Sequence, residues 1–177
     1  MGQIVAWIKG VSLLLVCLLS AAAYSSTSYR LDAGDRINIT VFGEPDLSFE
    51  LLLAENPVIN YPFLGNIRVE GLTTIELEQR IADGLRGDYL INPIVQVNII
   101  EYRPFFIFGE VRRPGSYPYQ PGLTVTQALA LAGGLTDRAA TNSINVFPAN
   151  SEHIREAVSL SAPISPGDTV QVGRRFF

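Results

Sequence analysis

The chain has 177 residues, 47% of them hydrophobic and 17% charged, enough to bury a core in one large domain or two small ones. Its formal charge is −4 and Lys9 is its only lysine, which argues against a basic nucleic-acid-binding block and against a phosphate loop built on a lysine. A single cysteine, Cys17, and a single histidine, His153, leave no disulfide framework and no Cys/His metal set.

The N-terminus predicts export. Lys9 precedes an uncharged run over residues 10–23, and Ala21-Ala22-Ala23 supplies the small residues of a cleavage site. Residues 1–23 therefore read as a secretory signal peptide, with a mature chain beginning at Tyr24. Its strongly apolar core of about 13 residues is short of the roughly 20 that a membrane span needs. Leu14-Leu15-Val16-Cys17 has the outline of a lipobox, but Val16 is too bulky for its last small position, and Cys17 reads as a buried leader cysteine. A cysteine-free mature chain suits the periplasm.

In the first half, Tyr29-Arg30-Leu31 and the turn Ala33-Gly34-Asp35 feed a strand over residues 36–42. Ile37, Ile39 and Val41 lie on one face of it and Asn38 and Thr40 on the other, the alternation of a half-buried strand. Residues 47–54 and 58–63 predict two more strands, Gly65-Asn66 a turn, and residues 67–69 a short extended piece. Thr73 with Glu76 forms a capping box for a helix whose apolar side carries Ile75, Leu77, Ile81 and Leu85, and Gly87 stops it. Asn92-Pro93 then leads into a last strand over residues 94–101.

The second half opens with an aromatic-rich strand over residues 105–111, the turn Arg113-Pro114-Gly115 and a return strand over residues 116–119, a β-hairpin. Thr124 and Gln127 repeat the capping box, Val125, Ala128, Leu129 and Ala132 make one apolar stripe, and Gly133-Gly134 ends the helix. Residues 137–142 read as loop, residues 143–147 as a strand, and residues 155–160 as its antiparallel partner.

Two internal echoes point to duplication. Gly71-Leu72-Thr73-x-x-Glu76 recurs as Gly122-Leu123-Thr124-x-x-Gln127, and Leu31-x-Ala33-Gly34-Asp35-x-Ile37-x-Ile39 returns as Ile164-x-Pro166-Gly167-Asp168-x-Val170-x-Val172. Short strands around one capped helix per half predict an α+β fold.

Candidate chemistry is sparse. His153 lies in a turn-like segment without a second ligand, Glu76 is explained as a cap partner, and Glu78, Asp83 and Asp88 read as a wet helix face, so no catalytic residue, metal ligand or cofactor is predicted. Tyr102, Phe105, Phe106, Phe108, Tyr117 and Tyr119 suit stacking on sugar rings, although alternate positions of a hairpin must also face a core. Tyr117 and Tyr119 fall on the same face. Arg112 and Arg113, at the hairpin tip, suit an acidic glycan or an acidic neighbour, with a solvated turn as the plain alternative. Arg112, Arg113, Tyr117 and Tyr119 are thus the candidate glycan or subunit contacts.

The wording Gly109-Glu110-Val111-x-x-Pro114-Gly115-x-Tyr117, then Leu123-Thr124-Val125-x-x-Ala128-Leu129-x-x-Ala132-Gly133-Gly134-Leu135-Thr136, resembles the soluble-ligand-binding β-grasp module, SLBB. Upstream, Tyr29-Arg30-Leu31-x-Ala33-Gly34-Asp35 through Tyr61-Pro62-Phe63-Leu64-Gly65 resembles the polysaccharide-export domain of bacterial outer-membrane polysaccharide export proteins. The resemblance implies a polysaccharide-export domain over residues 28–101 and one β-grasp domain over residues 102–177. It also implies a homo-oligomeric ring around a periplasmic conduit for capsule or exopolysaccharide. Longer relatives carry a second β-grasp module and a C-terminal amphipathic helix that forms the outer-membrane pore. Neither pattern follows here, which implies a short form working between an inner-membrane polysaccharide co-polymerase and a separate outer-membrane pore. The competing expectation is a periplasmic β-grasp module that binds a small soluble ligand; the acidic chain argues against DNA.

Overall fold

The computed structural model describes residues 29–149, 151 and 153–175, so the expected leader and Cys17 lie outside the described residues. Two hydrophobic cores divide the chain. One gathers side chains from Leu31 to Val97 and the other from Phe105 to Val172.

In the first module, strands β1 (Arg36–Val41), β2 (Phe49–Leu52) and β5 (Val95–Glu101) form an antiparallel sheet of order β2-β1-β5. β3 (Val58–Tyr61) and β4 (Gly65–Arg68) make a separate hairpin. Helix α1 (Thr74–Leu85) buries Leu77, Ile81 and Leu85 and packs along β5. The capping box is complete: Glu76 N–H donates to Thr73 Oγ1, and Thr73 N–H donates to a Glu76 carboxylate oxygen at 2.7 Å.

In the second module, β6 (Phe105–Gly109), β7 (Gly115–Tyr117), β8 (Ala139–Phe147) and β9 (Thr169–Arg174) form a mixed sheet of order β7-β6-β9-β8, with β6 and β9 parallel. Helix α2 (Val125–Leu131) covers one face, burying Val125, Ala128 and Leu129 under a second complete capping box between Thr124 and Gln127. Period-two geometry then decides the aromatics: Phe105 and Ile107 are in the core, while Phe106 and Phe108 stand on the open face.

Four expectations need correction. Residues 137–142 are not all loop, because β8 already begins at Ala139. This polar stretch has no strand pattern of its own and is recruited by β9, with a register shift between Ala139 and Ile144. Residues 155–160 do not form a partner strand. Arg155 makes a single bridge to Val146, on the edge of β8 that β9 leaves open, and the positive φ of Ala157 then breaks the pleat. The hairpin turn falls at Pro62-Phe63-Leu64, with Gly65 and Asn66 already paired in β4 opposite Tyr61 and Asn60. Finally, Glu78 is not part of a wet face: its carboxylate accepts the Val97 N–H at 2.8 Å, because β5 is an edge strand whose outward N–H needs a partner.

The two sequence echoes meet in space. Leu31 N–H donates to Leu72 O at 2.8 Å in the first module, and Ile164 N–H donates to Leu123 O at 2.9 Å in the second. Each module therefore joins a Gly-Asp turn to the entrance of its capped helix, and each turn feeds an interior strand of its sheet, β1 or β9. The order along the chain is permuted, with turn before helix in the first module and helix before turn in the second.

Candidate functional site

The site is built from the two Gly-Asp turns and the three-residue linker Tyr102-Arg103-Pro104 between β5 and β6. Gly34 and Gly167 both adopt positive φ, 88° and 81°, which reverses the chain tightly enough for the following aspartate to reach back. Asp35 and Asp168 are 0% and 2% exposed, and each carboxylate accepts the backbone N–H three residues before it, of Asp32 and Ser165, at 3.0 Å.

The linker is fastened to both turns. Arg103 N–H donates to Asp35 Oδ1 at 2.9 Å, and Gly167 N–H donates to Pro104 O at 3.2 Å. The Arg103 guanidinium is buried among the same groups, 3.2 Å from Asp32, 3.8 Å from Asp35, and donating through Nε to Pro166 O at 3.3 Å. Tyr29 donates its hydroxyl to Asp35 at 2.7 Å and lays its ring under Arg103, 5.8 Å from guanidinium carbon to ring centroid. On the other side, Asp168 accepts Arg155 at 2.8 Å and Ala149 N–H at 3.3 Å.

Burial sets the protonation preferences. It pushes the Tyr29 hydroxyl well above the ordinary phenol range, and the hydrogen bond to Asp35 adds to the effect. Asp168 is raised by burial, against the lowering effect of its Ser165 and Ala149 hydrogen bonds and of Arg155. Tyr119 is raised by burial as well.

Beside this junction lies a cleft of about 570 Å³ lined by Tyr29, Arg30, Tyr102, Tyr119, Arg155 and Pro166 among others. Its aromatic wall is an edge-to-face ladder, Tyr29 on Tyr102 at 5.0 Å and Tyr102 on Tyr119 at 5.5 Å between ring centroids. The cationic groups at its rim are compensated: Arg155 by Asp168, Arg103 by Asp32 and Asp35, and Arg30 by Glu76 at 3.6 Å. The cleft can hold a ring-shaped polar molecule against tyrosines. Among the described residues no group of three or more His, Cys, Asp or Glu could hold a metal ion.

Of the four contacts expected from sequence, only Tyr119 reaches the cleft. Tyr117 packs against the second core, with its hydroxyl donating to Arg113 O at 2.6 Å. Arg113 is no free hairpin tip: its guanidinium donates to Leu131 O and its N–H to Ala132 O, so it closes the C-terminus of α2 beside Gly133, while Arg112 N–H binds Gly134 O. Arg112 is exposed, as is His153. Arg103, Asp168 and Tyr29 are not among the residues that the sequence marks as a site, and Tyr102 is there only as one of six aromatics suited to stacking on sugar rings. The repeated Gly-Asp pair and a lone arginine between two strand patterns were the available signals.

The family model described as polysaccharide biosynthesis/export protein matches residues 23–100, and the SLBB domain model matches residues 104–155. The chain is similar to the exopolysaccharide production protein ExoF of Rhizobium meliloti, 30% identical over 68% of this chain and 33% of that protein. It is 26% identical to the EPS I polysaccharide export outer membrane protein EpsA of Ralstonia nicotianae, over 67% of this chain and 38% of that protein. The polysialic acid transport protein KpsD of Escherichia coli is 24% identical over 83% of this chain and 28% of its own length. The chain thus spans well under half the length of these curated relatives.

Proposed function

Because the chain belongs to the polysaccharide biosynthesis/export family, pairing its export domain with an SLBB domain, we propose that it is a periplasmic part of a capsule or exopolysaccharide export apparatus. In this reading residues 28–101 and 102–177 are the two domains of a subunit. Copies assemble into a ring that lines a passage for the polysaccharide, between an inner-membrane polysaccharide co-polymerase and a separate outer-membrane pore. No bond is made or broken and no cofactor is used.

The observation that carries the reading is the junction itself. A passage must keep its width while a polymer is drawn through it, and a two-domain subunit does so only if its domains cannot swing. Here the linker is three residues long, and its N–H, carbonyl and guanidinium groups are bonded to turns of both modules. Among the described residues no helix is long and apolar enough to cross a membrane. The test is deletion and complementation in the producing strain, scoring cell-surface and secreted polysaccharide. Unchanged polymer in the deletion strain refutes the export reading.

A second reading is favoured by one feature, the tyrosine-walled cleft, which suits a small soluble sugar. Calorimetry with mono- and disaccharides against the purified protein, read together with its oligomeric state, separates the two. A stable monomer that binds a small solute supports the module reading, and a partner-dependent or ring oligomer supports export.

A further inference from the structure

Each module covers one face of its sheet and leaves the other open, and the two open faces differ. On the first, Arg36 stands on the same side of β1 as Asn38 and Thr40 and pairs across the strands with Glu50 at 3.5 Å and Glu101 at 3.4 Å. Ion pairs of this kind belong to an ordinary solvated face. On the second, the register puts Ser116, Phe106, Thr169 and Phe147 in one row across β7, β6, β9 and β8. Phe108, Gln171 and Asn145 form the next row. Gly173 follows on β9, with Ser143 lying over it. None of these residues is charged.

Phe106 and Phe108 are 46% and 42% exposed and stand roughly 7 Å apart along β6, two residues of extended chain. The Phe108 ring meets the Phe147 ring across β9, 6.5 Å between centroids. Among the described residues the side chains of Thr169 and Gln171, at the centre of the face, have no hydrogen-bond partner. Asn145 engages only its Oδ1, which accepts Ala157 N–H at 3.1 Å.

A face with aromatic rings this open is a contact surface, and its centre decides what it touches. A lipid surface or the apolar core of a protein contact would strip water from the Thr169 hydroxyl and the Gln171 amide without replacing their hydrogen bonds. A chain of sugars replaces them. Each sugar ring presents an apolar face that lies on a phenyl ring and a rim of hydroxyls that bond amides and hydroxyls. The charge matches as well: the face offers no cation to a lipid headgroup and no ionic rim to a protein, and a sugar ring needs neither. We infer that the open face of the second sheet is where the polysaccharide touches the subunit, with sugar rings on Phe106, Phe108 and Phe147 and their hydroxyls on Gln171 and Asn145. This rests on the export reading and adds a surface to it; none of these residues lines the tyrosine-walled cleft. Contacts that are individually weak and uncharged let a polymer slide past them.

The test measures binding of the purified protein to the producing strain's own purified polysaccharide, immobilised on a biosensor. Wild-type binding should change less than about twofold between about 0.05 and about 0.5 M salt, because no charged group takes part. Phe106→Ser with Phe108→Ser should weaken it at least about tenfold, and Phe106→Tyr with Phe108→Tyr, which keeps both rings, should stay within about threefold of wild type. Gln171→Leu should weaken it about two- to tenfold, whereas an apolar contact would be tightened by the same change. Equal melting temperatures will show that the variants fold. A wild-type protein that does not bind, a double serine variant that binds as wild type does, or binding lost to salt overturns the platform. A serine or leucine variant with an altered sedimentation coefficient assigns the face to a subunit contact and overturns it too. In the deletion strain, the double serine variant at normal protein level should restore several-fold less surface polysaccharide than wild type. Full restoration refutes the platform and leaves the export reading standing, while a deletion that leaves the polysaccharide unchanged refutes the export reading itself.

Discussion

Removing the Arg103 side chain should loosen the two modules from each other. Arg103 is 7% exposed, and stripping one partner from a buried ion pair typically costs about 3–5 kcal/mol. Here the cost is smaller, for two reasons that the geometry gives. Asp35 keeps three donors after Arg103→Ala, the Tyr29 hydroxyl at 2.7 Å, Asp32 N–H at 3.0 Å and the residue 103 N–H at 2.9 Å. Asp32, the closer carboxylate at 3.2 Å, is partly open to water, which already screens its attraction. What is lost outright is the bond from Nε to Pro166 O and the packing of the arginine stem beside Gly167. The sum is about 2–3 kcal/mol. In a chain of this size that lowers the melting temperature by roughly 4–12 °C. Because the contact lies between two cores, the loss should also split a single urea transition into two and expose the linker to protease. Arg103→Lys keeps the charge but not the forked donor, and should fall between. A melting temperature lowered by less than about 2 °C, with a single transition and a protease-resistant linker, would refute the reasoning.

Tyr61→Phe should cost about 1–2 kcal/mol in urea unfolding, since it deletes the buried hydroxyl that donates to Leu47 O at 2.8 Å and leaves that carbonyl unpaired. Burial pushes this hydroxyl up to about 12 from 10.0, so the native state holds its proton more tightly than the unfolded chain does. Its contribution is therefore kept below pH 10 and lost between pH 10 and about 12, which an alkaline melting series will show as a slope missing from Tyr61→Phe. Gly109→Ala should prevent the second module from folding, since a Cβ there would run into the Val172 carbonyl in addition to straining a φ of 93°; circular dichroism of the purified variant checks this. Gly122→Ala has a similar φ of 84° but open space around it, and should cost only about 1–2 kcal/mol. Asp168, raised by burial, also binds its proton more tightly in the native state. Its charged form therefore opposes folding increasingly as pH climbs from the ordinary 3.8 through the raised value, and Asp168→Asn should flatten the melting-temperature profile in that window.

The elements legible in the sequence were those whose signal is local. Both helices were readable because Thr73/Glu76 and Thr124/Gln127 form closed capping boxes and Gly87 and Gly133 follow the stops. β1 was readable because Ile37, Ile39 and Val41 alternate with polar residues over a one-sided core. β8 was not readable from Ala139, since Ala-Ala-Thr-Asn becomes a strand only when β9 lies beside it. Glu78 has the same origin: its role exists only because α1 lies beside the edge of β5. The candidate site was least legible. Arg112 and Arg113 attract attention as neighbouring charges, yet Arg113 is a helix closure, while Arg103 binds partners 63 and 68 residues away.

Arg103 also explains why the first Gly-Asp turn carries an aspartate where a tight reversal alone would need only the glycine. A lone buried carboxylate is costly, and each module satisfies its own with backbone N–H groups of its own turn, Asp32 in one and Ser165 in the other. Those bonds leave acceptor capacity on both turns at the place where the chain crosses from one sheet to the next. The linker fills it from both directions, through the Arg103 N–H to Asp35 and the guanidinium to Pro166 O, while Pro104 O accepts the Gly167 N–H. The permuted order makes this possible. With the turn at the start of the first module and at the end of the second, the two copies of one motif fall on either side of a single three-residue crossing.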